Sequence, residues 1–284
     1  MFTTIITDCK GENEAGRQVA RFNSYGLGPT DLVGVDSGLN DTPTIEAAGN
    51  LIDLLDAGEG KKGIIIVNVA PRGAKKDGEN GTSFSYFYYK NTLIISTIKG
   101  YCLSFIKRFE IVKTVRILDV KAVLDHVNKQ PRAKSPRFAR KGSKGIIDKK
   151  LTNYIVESQF RSFDFVPRVA KWLTIGVNIP SKPYSLDKIP DIPQCIWHID
   201  SFGNAKMTLT QDDLKIESPQ FLITSLGTYP FYQRLKDIPY GETAIYIGSS
   251  GIGNKRFLEI ATQGLKGSAA HSLNLKVGDE IKFM

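Results

Sequence analysis

Ile64-Ile65-Ile66-Val67-Asn68-Val69 is a short, continuous run of branched apolar residues. A run of this length suits a strand covered on both faces, as in a parallel sheet packed between helices. Phe2–Thr7 has the same β-branched, apolar character and ends at Asp8, where a parallel strand presents a ligand-facing residue. Between these two strands, Thr42-Pro43 reads as an N-cap followed by proline at the first helical position. Ile45, Ala48, Leu51, Ile52 and Leu55 then form a 3.6-residue apolar face, and Gly58 closes the helix. Further on, Phe84–Tyr89 and Thr92–Thr97 flank Lys90-Asn91 as a hairpin. Leu103–Phe109 reads as helix, Val115–Val120 as strand and Phe163–Leu173 as helix. The expected N-terminal domain is α/β, over 1–182, with a mixed, mostly parallel sheet and flanking helices.

The texture changes near residue 184. Cys195–Ile199, Lys206–Leu209, Phe221–Thr224, Ala244–Ile247, Leu258–Ala261 and Glu280–Phe283 are short apolar runs separated by Gly, Pro, Asp and Ser. Regular short strands with turn signals predict a small antiparallel β-barrel or sandwich as C-terminal domain, over 183–284. Lys182-Pro183 is the expected junction.

Composition narrows the function classes. The chain of 284 residues carries a net charge of +9, but 129–150 alone contains nine Lys or Arg and one acid, Asp148. Eight of the nine net charges therefore sit in one Pro- and Gly-containing stretch without hydrophobic period, which reads as a solvated basic loop insertion. With Phe138 its one aromatic residue, the loop does not point to nucleic acid, although a polyanion remains a possible partner. No run approaches the ~20 apolar residues of a membrane helix, and the first residues lack the basic start of a signal peptide. Three scattered cysteines and three isolated histidines give neither a disulfide framework nor a metal pattern. A cytoplasmic location is expected, with no metal.

The most chemically specific stretch is Trp197-His198-Ile199-Asp200-Ser201-Phe202-Gly203-Asn204. Gly203 permits positive φ. Asp200 and Asn204 then flank one tight corner and offer an anionic acceptor beside an amide. Such a corner suits a ligand carrying an ammonium group and a heteroaromatic edge.

The order of these features resembles the S-adenosylmethionine (SAM) hydroxide adenosyltransferase family, which also contains the SAM-dependent fluorinases and chlorinases. The resemblance rests on Thr7-Asp8, Phe160-Arg161-Ser162-Phe163-Asp164, His198–Asn204 and Ile247-Gly248-Ser249-Ser250-Gly251. It continues through Leu258-Glu259-Ile260-Ala261, Gly267-Ser268-Ala269-Ala270 and Leu275-Lys276-Val277-Gly278-Asp279-Glu280. It implies a homotrimer that binds SAM between one subunit's N-domain and its neighbour's C-domain, with SAM as substrate and no other cofactor. Asp8 would then accept from the ribose hydroxyls. Asp200 would pair with the methionine ammonium, Asn204 would read the adenine edge and Ser249 would hold the methionine carboxylate. Phe160 and Ser250 are placed in the SAM site by the same comparison. Each has a local alternative: Asp8 as a helix cap, Asn204 and Ser249 as turn residues, Asp200 as a surface acid.

The catalytic half departs from the family pattern. The hydrolases resemble one another in an Asp, an Arg and a His around the attacking water, the Asp lying in a Val-Asp-Pro-Gly-Val-Gly loop. Here that loop is Val67-Asn68-Val69-Ala70-Pro71-Arg72-Gly73, and the position of the His falls on Arg161. Three readings follow. Asn68, Arg72 and Arg161 form a substituted water site, in which arginine orients water without acting as base. Alternatively the nucleophile is a halide or another anion, since Ser162 stands where a halogenase carries Ser or Gly. In the third, the protein binds SAM or an adenosyl compound without turnover, or with some other reaction; the local alternative for Arg72 and Arg161 is a surface ion pair. Hydrolysis of SAM to adenosine and methionine is the leading expectation.

Overall fold

The computed structural model describes residues 1–36, 41–71, 82–129, 147, 149–158, 160–214, 221–264 and 269–284. The N-terminal half runs β1 (Phe2–Thr7), α1 (Glu12–Ser24), β2 (Thr30–Gly34), α2 (Thr42–Ala57), β3 (Gly63–Asn68), β4 (Phe84–Tyr89) and β5 (Thr92–Thr97). It continues through α3 (Ser104–Arg108), β6 (Thr114–Ile117), α4 (Val120–Lys129), α5 (Lys149–Glu157), α6 (Arg161–Asp164), α7 (Val166–Thr174) and β7 (Lys182–Ser185). The seven strands form one sheet in the order β2-β1-β3-β5-β4-β6-β7. β2, β1, β3 and β5 are parallel, while β4, β6 and β7 run antiparallel to their neighbours.

The apolar run of β3 explains the layering. Ile64 and Ile66 join the core under α1, α4, α5 and α7, with Ile5, Phe22, Leu124, Ile155 and Val169. Ile65 and Val67 face the opposite way, onto a core with Ile6, Leu51, Phe105, Trp197 and Phe257. The strand is thus covered on both faces, as its composition requires.

α2 is buried on nearly all sides, because it lies between the first sheet and the second. Pro43, Thr44, Ile45, Glu46, Ala47, Ala48 and Gly49 are all buried, and a helix with so little solvent face needs a second layer over it. Gly49 lets Trp197 approach: a Cβ there would stand 2.2 Å from the indole Cε3.

The C-terminal half contains β8 (Ile196–Ile199), β9 (Ala205–Thr210), α8 (Gln211–Leu214), β10 (Phe221–Thr224), β11 (Gly227–Tyr232), β12 (Thr243–Ile252), β13 (Lys255–Thr262) and α9 (Ala269–Ser272). It is a six-stranded sheet in the order β10-β11-β12-β13-β9-β8. The sheet is mixed rather than antiparallel throughout, since β11 and β12 pair parallel. A closed barrel is not established. The expected strand at Glu280–Phe283 makes two single bridges instead, Glu280 to Cys195 beside β8 and Phe283 to Thr224 of β10.

Other boundaries move for local reasons. Asp41, not Thr42, occupies the N-cap position of α2. The strand expected to reach Val120 stops at Ile117, because the Asp119 carboxylate accepts from the Ala122 N–H at 2.7 Å and starts α4. The helix expected over Phe163–Leu173 breaks at Phe165 into α6 and α7; Pro167, which has no N–H to donate, sits in the first turn of α7. Lys182-Pro183 pairs with β6 in the first sheet, so the change of sheet falls between Ser185 and Ile196. The basic insertion lies almost wholly outside the described residues.

Candidate active site

β1 and β3 are adjacent and in register, with Thr7 opposite Asn68, so Asp8 and Asn68 emerge together at the carboxyl edge of the sheet. That edge is where a parallel α/β sheet receives ligands. It opens here into a cavity of about 170 Å³ lined by Cys9, Gln18, Asn68, Tyr154, Phe160 and Ser162, among others. Asp8 is buried beside it, and the Cys9 thiol lies 3.5 Å from its Oδ1.

Three helices bring the far wall into place. Ser158 Oγ donates to Asp164 Oδ2 at 2.7 Å and accepts from the Phe160 N–H at 3.0 Å, fixing the turn that carries Phe160 and Ser162. The guanidinium groups of Arg17 and Arg21 lie 5.0 and 4.1 Å above the ring of Phe163, tying α1 to α6. Arg161 is turned the other way. It lines a separate cavity with Thr82, Asp119 and Lys121, and its buried Nε has no hydrogen-bond partner there. Asn68 and Ser162 therefore share a cavity, whereas Arg161 does not line it. Arg72 lies outside the described residues.

The second constellation is the turn between β8 and β9. Gly203 has φ of +77°, as the sequence requires. Asp200 Oδ1 accepts from the N–H groups of Phe202 and Asn204, both at 2.9 Å, and Oδ2 accepts from Asn204 Nδ2 at 3.0 Å. The two residues expected to flank the corner thus build it together. The Gly203 carbonyl accepts from the Ala270 N–H at 3.0 Å, which joins α9 to the same turn. Phe202 at its tip is 81% exposed.

Ser249 and Ser250 sit in an irregularity of β12, between Ile247 and Gly251, where the register with β13 shifts. Bulges of this kind redirect side chains. Ser249 is exposed, while Ser250 is buried and accepts from Lys206 Nζ at 2.5 Å. Lys206 also stands 3.8 Å from Asp53 Oδ2 and over the face of Trp197. Burial pushes the Asp53 carboxyl up, against the opposing pull of the Gly251 N–H and Lys206. Glu259 is raised in the same way by burial, with the Tyr246 hydroxyl donating to its Oε2 at 2.5 Å and its Oε1 left without a partner. Ser250 and Glu259 fall in stretches the sequence had singled out, whereas Asp53 and Lys206 carried no site signal there, because the sequence distance from Asp53 to the rest hides their contact. Asp200, Asn204, Ser249 and Ser250 do not line the cavity at Asn68.

The fold thus defines a two-part α/β protein with a cavity of mixed polar and apolar lining at the carboxyl edge of its first sheet. Residues 194–282 match the SAM hydroxide adenosyltransferase C-terminal domain. Among solved structures, an uncharacterized conserved protein from Thermotoga maritima is similar over 100% of both chains, with a TM-score of 0.64 and 15% identity. A conserved hypothetical protein from Thermus thermophilus is similar over 100% of this chain and 99% of the other, with a TM-score of 0.60 and 15% identity. At such identity these two establish the common fold alone. No curated protein sequence is a significant match. The family points to an enzyme that uses SAM. No helix among the described residues is long and apolar enough to cross a membrane.

Proposed function

We propose that the protein catalyses nucleophilic substitution at C5′ of SAM, with water as nucleophile and adenosine and L-methionine as products. The observation that carries this reading is the convergence of Asn68, Phe160 and Ser162 at one carboxyl-edge cavity, with Asp8 buried beside its Cys9 wall, in a chain whose residues 194–282 match this family's C-terminal domain. The water oxygen bonds to C5′ as the C5′–S bond breaks. The electron pair of that bond passes to sulfur, methionine leaves as a neutral thioether, and one proton is released to solvent. The reaction needs a positioned, partly desolvated nucleophile rather than a general acid.

In this reading Asp8 accepts from the ribose hydroxyls. Asp200, Asn204, Ser249 and Ser250 receive the methionine and adenine ends from a neighbouring subunit of a homotrimer. The separation of the two constellations within one chain supports an intersubunit site. A second reading, chloride or another anion as nucleophile, draws support from Ser162, whose position lines the cavity.

Incubation of the purified protein with SAM, in chloride and in a chloride-free buffer, tests the reading. Adenosine in both buffers is the expected product. A halogenated nucleoside formed only with chloride would transfer the assignment to halogenation. SAM bound but unconsumed would leave a binding protein, and absence of SAM binding would remove the site altogether. Light scattering at the same concentration should give the mass of three chains.

A further inference from the structure

The sequence leaves open which face of Asn68 meets the nucleophile, and α1 decides it. Gln18 is buried, and its Nε2 donates to the Cys9 carbonyl at 3.0 Å and to the Glu14 carbonyl at 3.3 Å. A backbone carbonyl can only accept, so the NH₂ end of Gln18 must point there. Its Oε1 is thereby turned towards Asn68, whose Nδ2 donates to it at 3.5 Å and to Thr7 Oγ1 at 3.3 Å. The Thr7 hydroxyl also accepts from the Cys9 N–H at 3.1 Å. Both acceptors are thus set to hold the Asn68 NH₂ group away from the cavity, which leaves Oδ1 to face it.

We propose that Gln18 is a positioning residue that presents Asn68 Oδ1 as an acceptor to the cavity, so that the site takes a hydrogen-bond-donating nucleophile such as water and rejects halide. The inference rests on the reading that C5′ of SAM is attacked in this cavity. The surrounding charges act in the same direction. Glu14 and Asp164 bring two carboxylates to the wall, and Asp8 is buried nearby. Among the described residues the one arginine at the wall, Arg17, lies over the ring of Phe163. An anion would meet an acceptor oxygen and an excess of negative charge, whereas water can donate to Oδ1. An amide cannot remove the proton, so Asn68 orients water, and the proton leaves through solvent.

Two measurements test this, one of them independent of turnover. In crystals soaked in bromide, anomalous scattering should reveal no halide against Asn68 in the wild type. It should reveal one in Gln18→Leu or Gln18→Met, where the Asn68 amide is free to rotate. Bromide bound to Asn68 in the wild type would overturn the proposal, as would an unaltered, halide-free Asn68 environment in both variants. In solution, Gln18→Met should lower kcat for SAM about tenfold or more, with KM changed by less than about twofold; unchanged kcat would also overturn it. A wild type that consumes no SAM would sink the proposed reaction instead, while the bromide comparison would still decide the role of Gln18.

Discussion

Glu46 of α2 joins the two halves of the molecule: its Oε1 lies 3.1 Å from His198 Nδ1, two residues before Asp200. Its other oxygen accepts from the Asp36 N–H at 3.0 Å, so one buried carboxylate ties β8 to the end of β2. Glu46→Ala leaves both donors without this acceptor. It should lower stability by about 1–3 kcal/mol, read as a shift of the urea midpoint at unchanged m-value. A midpoint within error of the wild type would show that the contact is not worth its ordering.

Gly49 tests how closely α2 must approach the second sheet. In Gly49→Ala the new methyl would stand 2.2 Å from Trp197, whose indole is fully buried. Overpacking of this kind should destabilise by about 1–3 kcal/mol even though alanine is the better helix former. Thermal melts decide the sign; a more stable variant would mean that the indole has room to move.

At the corner, charge can be separated from architecture. Asp200→Ala removes the acceptor of two backbone N–H groups and of the Asn204 amide, so it should loosen the turn as well as weaken SAM binding. Asp200→Asn retains an oxygen for the backbone donors but carries no charge. If Asp200 pairs with the ammonium group, titration calorimetry should give a loss of roughly tenfold or more for Asp200→Asn with little change in melting temperature. Equal affinity for SAM would confine Asp200 to the turn.

The thiols should differ in reactivity. Burial pushes Cys102 and Cys195 up to about 12, which suppresses the thiolate at neutral pH. Cys9 is only half-buried and lines the cavity. Iodoacetamide on the native protein should therefore label Cys9 first, and SAM should slow the labelling. Mass spectrometry locating the label at Cys102 or Cys195 first, or no protection by SAM, would contradict this.

Glu259 gives a pH dependence with a definite sign. Its carboxyl is raised above the ordinary 4.5, chiefly by burial, so the folded state binds its proton more tightly than the unfolded state. Its contribution to stability is complete below pH 4.5 and is lost as pH rises through the higher folded value. Glu259→Gln should therefore be more stable than the wild type at pH 7 by the order of 1 kcal/mol, and the advantage should vanish in acid. A constant difference across the range would assign the effect to packing over Gly248 instead.

The sequence by itself determined the elements whose causes are local. β1, β3 and the β4–β5 hairpin follow from runs of branched and aromatic residues, and α2 from its apolar period. The corner at Asp200–Asn204 followed from a glycine and two short polar side chains within five positions, and its positive φ is present. α1 and α4 were not read, because their apolar faces are short and become decisive only against the sheet. Strand spacing left a small barrel or a sandwich open for the C-terminal half, because spacing says nothing about which edges meet.

Tertiary structure decided the rest of the site. Thr7, Gln18 and Asn68 are far apart in sequence, and only the parallel register of β1 with β3, with α1 laid across their ends, brings them together. The same packing turned Arg161 away from the cavity shared by Asn68 and Ser162. Residue type can announce a possible hydrogen bond, but direction is set by acceptors that cannot donate, and those are placed by the folded backbone.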